Sequence, residues 1–463
     1  MTLIKSISGI RGTIGGRPGD NLTPLDAVKF AAAYGTRLLR SGREKKVVIG
    51  RDARPSGQMI SNIVTSTLVG LGIDVVDLGL STTPTVEVAV PMENAGGGII
   101  ITASHNPVQW NALKLLNETG EFISADEGKA ILDVAEKEDF EFAEVKLLGN
   151  ITEDDSYIAK HIQKILDLPL VDKEAIAACD FKVAIDCVNS TGGIAVPMIL
   201  EALGVKHITK LYCEPNGLFP HNPEPLPENL TEICSVMSKE QHDLGIVVDP
   251  DVDRLAFVCD DGSLFGEEYT LVAVADYILK NTGTSTVSNL SSTKALRDVT
   301  EKAGQKYYAS AVGEVNVVSK MKEHGALVGG EGNGGIIFPE LHAGRDALVG
   351  IALFLTHLAK EGKSSSELRS TYPNYHISKN KIELTPEINV DLVLEEIIKK
   401  YDKQPINTID GVKIEFDNEW VHLRKSNTEP IIRIYSESET LATADHLANK
   451  IIQDIKEIIS VGV

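Results

Sequence analysis

Three times along this chain the same order of residue types recurs: an apolar strand, a polar loop, a helix closed by glycine, and a second strand. The first copy runs from Lys46-Val47-Val48-Ile49-Gly50-Arg51-Asp52 to Gly70-Leu71-Gly72-Ile73. The second runs from Lys182-Val183-Ala184-Ile185-Asp186 through Asn189-Ser190-Thr191-Gly192-Gly193 to Ala202-Leu203-Gly204-Val205, and the third from Ser285-Thr286-Val287-Ser288-Asn289 to Lys302-Ala303-Gly304-Gln305. Glycine ends each helix because it enters the left-handed conformation without steric cost. A strand–helix–strand unit closes as a right-handed crossover between parallel strands. Any doubly wound chain shows some of this grammar, but its threefold recurrence favours repetition of one unit and predicts three related mixed α/β domains.

The last part follows other rules. The spacing predicts a helix over 390–400 and strands Val412–Phe416 and Trp420–Arg424 joined by the turn Asp417-Asn418-Glu419. A second helix is predicted over 443–459, giving an antiparallel α+β domain. At 463 residues the chain exceeds what one core holds. Candidate boundaries near Asn150–Ser156, Asp260–Gly262 and Tyr372–Ile377 give domains over 1–153, 154–260, 261–374 and 375–463.

A net charge of −21 argues against nucleic acid as partner, because phosphate backbones need a basic face. No apolar run approaches membrane-spanning length, and Met1-Thr2-Leu3-Ile4-Lys5-Ser6 lacks the apolar core of a secretion signal. The five cysteines (Cys179, Cys187, Cys213, Cys234, Cys259) are odd in number and form no CxxC pair. Free, mostly buried thiols and a cytoplasmic location are expected. An acidic protein can still bind a small phosphate ester if it gathers arginines locally. The expected partner is therefore a small molecule, with no nucleic acid or membrane, in a monomer or homodimer.

Four loops carry chemistry. Gly96-Gly97-Gly98-Ile99-Ile100-Ile101 leads into Thr102-Ala103-Ser104-His105-Asn106-Pro107, which displays Ser104 where a strand ends. Ser104 has three readings: a helix cap, a hydrolase nucleophile without its GxSxG setting, or a phosphoryl carrier. Asp249-Pro250-Asp251-Val252-Asp253-Arg254 follows the strand Leu244–Val248, and its oxygen-only set suits Mg²⁺. The glycine and late glutamate of an EF-hand are missing. This triplet favours the carrier reading of Ser104, because a cation can neutralise a phosphoserine. His105 reads as a loop hydrogen-bonding group, not a metal ligand. Gly329-Gly330-Glu331-Gly332-Asn333-Gly334-Gly335 suits sugar hydroxyls or a bare tight turn. Arg424-Lys425-Ser426-Asn427-Thr428-Glu429-Pro430 with Arg433 is a phosphate cradle by chemistry, or a capped surface turn.

In order and spacing these four loops resemble the signature loops of the α-D-phosphohexomutase superfamily over the whole chain. The resemblance implies four domains around a central cleft, three of them related α/β units. It implies that Ser104 carries the phosphoryl group and that Asp249, Asp251 and Asp253 hold Mg²⁺ with a phosphoserine oxygen. Arg254 would lie beside the transferring phosphate, and Glu331 and Asn333 would bind sugar hydroxyls. Arg424, Ser426, Asn427, Thr428 and Arg433 would hold the phosphate that does not react. Lys114, in Asn111-Ala112-Leu113-Lys114, matches a family acid or base, and Arg11, in Gly9-Ile10-Arg11-Gly12, matches an arginine near the phosphoserine. His105 joins this catalytic set.

The implied reaction interconverts hexose 6-phosphates and hexose 1-phosphates through a 1,6-bisphosphate, which also serves as activator. Reorientation of that intermediate predicts a hinge at Tyr372–Ile377. The expected branch is the glucosamine one, converting glucosamine 6-phosphate to glucosamine 1-phosphate. The phosphomannomutase/phosphoglucomutase branch is the alternative, supported by Phe219-Pro220-His221-Asn222-Pro223-Glu224-Pro225. A non-catalytic sugar-phosphate scaffold and a metal-dependent phosphatase are more distant readings. The chain departs from the family pattern at Ala112, often glycine, and at Gly335, where many relatives carry a histidine. Proton transfer would then fall to Lys114 or to another group such as His342.

Overall fold

The computed structural model describes residues 2–6, 9–385, 388–425 and 431–460. The chain divides into two compact units, Met1–Tyr277 with Asn333–Leu368, and Ile278–Gly332 with Arg369–Val463. The three predicted repeats are present. Strands Lys46–Arg51 and Asp74–Leu80 run parallel around helix Gly57–Gly70. Lys182–Asp186 and His207–Leu211 do so around Gly192–Ala202, and Thr286–Asn289 and Tyr307–Ser310 around Ala295–Lys302.

In the first unit a seven-stranded sheet has the order Ile4–Ser6, Gly9–Thr13, Trp110–Leu116, Gly97–Ile101, Lys46–Arg51, Asp74–Leu80, Ile151–Glu153. The strand ahead of Ser104 is thus interior, parallel to Lys46–Arg51 and antiparallel to Trp110–Leu116. Its glycines answer a packing need. A Cβ on Gly97 would lie 2.1 Å from the Tyr34 hydroxyl, which crosses the strand to donate to the Leu116 carbonyl at 2.8 Å. A four-stranded sheet follows, in the order Leu255–Cys259, Leu244–Val248, Lys182–Asp186, His207–Leu211. Strand Leu244–Val248 is buried throughout and delivers the Asp249 loop at its C-terminal end. The hairpin Gly335–Phe338/His342–Arg345 and the buried helix Ala347–Glu361, capped by Asp346, complete the unit.

The second unit holds the parallel strands Tyr307–Ser310, Thr286–Asn289 and Val328–Glu331. Its other sheet is antiparallel, in the order His376–Glu383, Ile431–Ser438, Trp420–Lys425, Val412–Glu415, Ile406–Asn407. The predicted hairpin is there, and helices Val390–Lys400 and Leu441–Ser460 pack apolar faces into that sheet's core. Strand Ile431–Ser438, between two others, was not predicted.

All five cysteines are free, but the expectation that they are mostly buried is corrected. Cys187 and Cys259 are buried, Cys213 and Cys234 half-buried and Cys179 exposed. Among the described residues no helix is long and apolar enough to cross a membrane.

Candidate active site

Ser104 takes a left-handed backbone conformation at φ +49°, one that a non-glycine residue adopts only when its surroundings impose it. The surroundings are specific. The Ser104 N–H donates to Thr102 Oγ1 at 2.9 Å, and that hydroxyl donates to Asp52 Oδ2 at 2.7 Å. Arg54, fully buried, pairs with Asp52 at 3.0 Å and spends its remaining N–H groups on loop carbonyls. These are the carbonyls of Ser104 at 2.5 Å, Asn106 at 2.6 Å, Pro107 at 2.6 Å and Trp110 at 3.1 Å. Burial pushes the Asp52 carboxyl up despite Arg54. Ser104 therefore caps no helix; its Oγ donates to Asp249 Oδ2 at 2.9 Å.

That contact joins two loops far apart in sequence. Asp249 Oδ1 accepts from the backbone N–H groups of Asp253 and Arg254, both at 3.1 Å, which folds the acidic loop back on itself. Thr83 Oγ1 donates to Asp251 Oδ2 at 2.6 Å, and Lys114 Nζ reaches the same oxygen at 2.7 Å. Arg345 pairs with Asp253 Oδ2 at 2.6 Å, and Arg254 pairs with Glu224 at 3.0 Å. All three aspartates are fully buried.

The charges set the protonation. Burial and the neighbouring Asp253 and Asp251 raise the Asp249 carboxyl well above the usual range. Burial pushes Asp253 the same way, but Arg345, Lys114 and Arg254 outweigh it and hold that carboxyl low. Burial pulls Lys114 down, but Asp251 and Asp253 outweigh it and keep the ammonium charged. His105 is lowered to about 3 by burial and by Arg254, and its buried Nδ1 makes no hydrogen bond.

Donor atoms of Asp249, Asp251 and Asp253 lie within 4.8 Å of one another. Asp251 Oδ1 and Asp253 Oδ1 are buried and receive no N–H or O–H donor. Three close carboxylates with idle oxygens, and no nitrogen or sulfur among them, fit a hard divalent cation.

Gly335 has a reason. A Cβ there would lie 2.3 Å from Arg345 Cδ, so the Arg345 side chain fills the space a larger residue would need. Asn333 accepts the Gly335 N–H at 3.2 Å. His342 is no free proton carrier. It is half-buried between Glu87, 3.1 Å from Nδ1, and Asp346, 3.3 Å from Nε2. Burial pulls its pKa down, but the hydrogen bond to Asp346 and the nearby Glu87 carboxylate prevail and raise it to about 10. Arg11 lies on strand Gly9–Thr13 opposite Ala112, on the strand that also carries Lys114.

In the second unit Glu331 accepts from Asn289 Nδ2 at 2.9 Å and from the Gly313 N–H at 3.0 Å. Arg424 is directly opposite Arg433, which is directly opposite Lys381 on the next strand. Opposed residues share a face, and like charges so placed repel unless an anion lies among them. Asp410 balances Arg424 at 2.8 Å, and Glu383 balances Lys381 at 3.0 Å. Ser426, Asn427 and Thr428 lie outside the described residues.

Asp52, Arg54, Thr83 and Arg345 escaped the sequence reading. Asp52 and Arg54 had a signal, as two charges on a strand-end loop of the first repeat. Thr83 and Arg345 had none, because only folding brings them to the triplet.

Comparison with known proteins gives the class: a sugar phosphomutase assembled from α/β/α domains. Four phosphoglucomutase/phosphomannomutase family models match in order: alpha/beta/alpha domain I at residues 3–142, domain II at 155–262, domain III at 266–375 and the C-terminal domain at 383–453. The chain is 37% identical to a phosphoglucomutase/phosphomannomutase of Thermococcus kodakarensis, over 93% of this chain and 94% of that one. It is 32% identical to a phosphoglucosamine/phosphogalactosamine mutase of Sulfurisphaera tokodaii, over 97% and 98%. The crystal structure of a phosphoglucomutase/phosphomannomutase family protein from Burkholderia thailandensis shares the fold, with TM-score 0.83, 24% identity and coverage of 99% and 98%. The chain belongs to the phosphoglucomutase/phosphomannomutase family, and it is an isomerase that interconverts sugar phosphates.

Proposed function

We propose that this protein is a phosphoglucosamine mutase of the cytoplasm, converting glucosamine 6-phosphate to glucosamine 1-phosphate through phosphorylated Ser104. The observation that carries the reading is the Ser104 hydroxyl on Asp249 beside two further buried aspartates. The Sulfurisphaera relative, whose name specifies an amino sugar, supports the substrate.

In the forward half-reaction the sugar 1-hydroxyl oxygen forms a bond to the phosphorus. The Ser104 Oγ–phosphorus bond breaks, and its electron pair stays on Oγ. The hydroxyl proton leaves the sugar, and Oγ gains one. Unprotonated His105 and charged Lys114 offer an acceptor and a donor, their environments having pushed two bases in opposite directions. The second half-reaction returns the 6-phosphoryl group to Ser104. Asp249, Asp251 and Asp253 would hold Mg²⁺, which when bound neutralises charge on the transferring group. Arg254 is proposed to steady that group, and Arg11 to lie near the phosphoserine. Glu331 and Asn333 would bind sugar hydroxyls. Arg424 and Arg433, with Ser426, Asn427 and Thr428, would hold the other phosphate. The freed bisphosphate would reactivate unphosphorylated enzyme.

A panel of glucosamine, glucose and mannose 6-phosphates, assayed with Mg²⁺ and the matching bisphosphate, tests the reading. Fastest turnover of glucosamine 6-phosphate is expected. A second reading, phosphomannomutase/phosphoglucomutase, is favoured by the Thermococcus relative. It predicts fast glucose or mannose turnover with none of glucosamine.

A further inference from the structure

A second cluster of donor atoms in the first unit takes no part in the proposed transfer. His161 on helix Tyr157–Leu166, His342 on strand His342–Arg345, and the helix cap Asp346 bring two imidazole nitrogens and one carboxylate oxygen within 4.8 Å of one another. His161 Nε2 is 3.0 Å and His342 Nε2 3.3 Å from the same Asp346 Oδ2. Neighbouring ligand atoms of a tetrahedral Zn²⁺ stand about 3.3 Å apart.

The outer nitrogen of each ring faces an oxygen. Glu87 Oε2 lies 3.1 Å from His342 Nδ1, and Thr85 Oγ1 3.1 Å from His161 Nδ1. A carboxylate or hydroxyl on the far ring nitrogen is what orients a ligating histidine and raises its basicity. The side chains of His161 and Asp346 are 0% exposed and that of Glu87 1%.

We propose that His161, His342 and Asp346 form a second metal site, built for a divalent transition-metal ion of the zinc type, with Glu87 and Thr85 as outer partners. The mixed nitrogen and oxygen set distinguishes it from the all-oxygen triplet, which suits Mg²⁺. Its place gives it a task. Helix Thr83–Met92 supplies both Glu87 and Thr83, which holds Asp251. Strand His342–Arg345 supplies both His342 and Arg345, which holds Asp253. An ion here braces both supports of the aspartate triplet.

The test uses the full chain, stripped with a chelator, held in excess Mg²⁺ and titrated with Co²⁺. One equivalent should bind with the visible absorption of low-coordinate Co²⁺, and Zn²⁺ should displace it. His161→Gln and His342→Gln should lose this binding, and Glu87→Gln should weaken it roughly tenfold to a hundredfold. X-ray absorption of the Zn²⁺-loaded natural protein should show imidazole scattering, a readout that does not depend on any variant folding. Absence of Co²⁺ binding under excess Mg²⁺, unchanged affinity in either histidine variant, or an all-oxygen shell around Zn²⁺ would each overturn the proposal.

Discussion

Ser104 is held by its backbone more than by its side chain. A left-handed serine costs on the order of 1–2 kcal/mol, and the Asp52–Arg54 pair, with four loop carbonyls on the guanidinium, over-determines it. Two substitutions separate chemistry from scaffold. Ser104→Ala should abolish turnover in a coupled assay while shifting unfolding stability by no more than about 1 kcal/mol, because a loop hydroxyl carries little packing. Arg54→Ala should cost about 3–5 kcal/mol in urea unfolding, because it strands the buried Asp52 carboxylate. A cost under about 1 kcal/mol would contradict the clamp. At this scale the residues proposed to react were legible as a cluster. Ser104 stands in a conspicuous loop at a strand end, and the aspartates recur at alternate positions. Their supports were not. Arg345 lies in His342-Ala343-Gly344-Arg345-Asp346, which has no pattern of its own, and it acquires meaning only against Asp253 and beneath Gly335.

Among the elements, the C-terminal sheet makes the clearest separate case. Arg424, Arg433 and Lys381 form a row of cations across three strands. Arg433→Ala should raise KM for the sugar phosphate at least tenfold with a smaller effect on kcat, and should weaken protection of the natural protein by sulfate against thermal unfolding. An unchanged KM would remove this row from substrate binding. His422, on strand Trp420–Lys425, gives a pH dependence. Its Nε2 meets the Asp410 carbonyl at 2.6 Å and its Nδ1 meets Ser291 Oγ at 2.9 Å, and burial lowers its pKa to about 4. The unfolded chain then binds a proton near pH 6.5 that the folded chain refuses, so stability falls as pH drops below about 6.5. Between pH 6.5 and 5.5 this one group should cost about 1 kcal/mol, measured by urea unfolding, and His422→Gln should flatten the slope by that amount. The repeats and the C-terminal hairpin were legible because alternation and glycine caps mark them. Strand Ile431–Ser438 was hidden because Arg433 read as part of a binding loop. Strand His376–Glu383 was hidden because its half-exposed pattern carries little apolar signal.

For the whole molecule, the governing fact is a chain of net charge −21 that gathers Lys114, Arg254 and Arg345 around a buried acidic triplet. Within this acidic chain the three cations stand directly against the triplet's carboxylates. The family match over the whole chain and the repeated domains agree with a phosphomutase. The central claim is that Ser104 itself carries the phosphoryl group. Intact-mass analysis of protein purified from cells, with peptide mapping, tests it most directly. The account predicts a fraction one phosphoryl group heavier, mapped to Ser104. That fraction should fall when hexose 6-phosphate is added in excess and return with hexose 1,6-bisphosphate. A turning-over enzyme that never carries phosphate on Ser104, or whose Ser104→Ala variant keeps full activity, would contradict it.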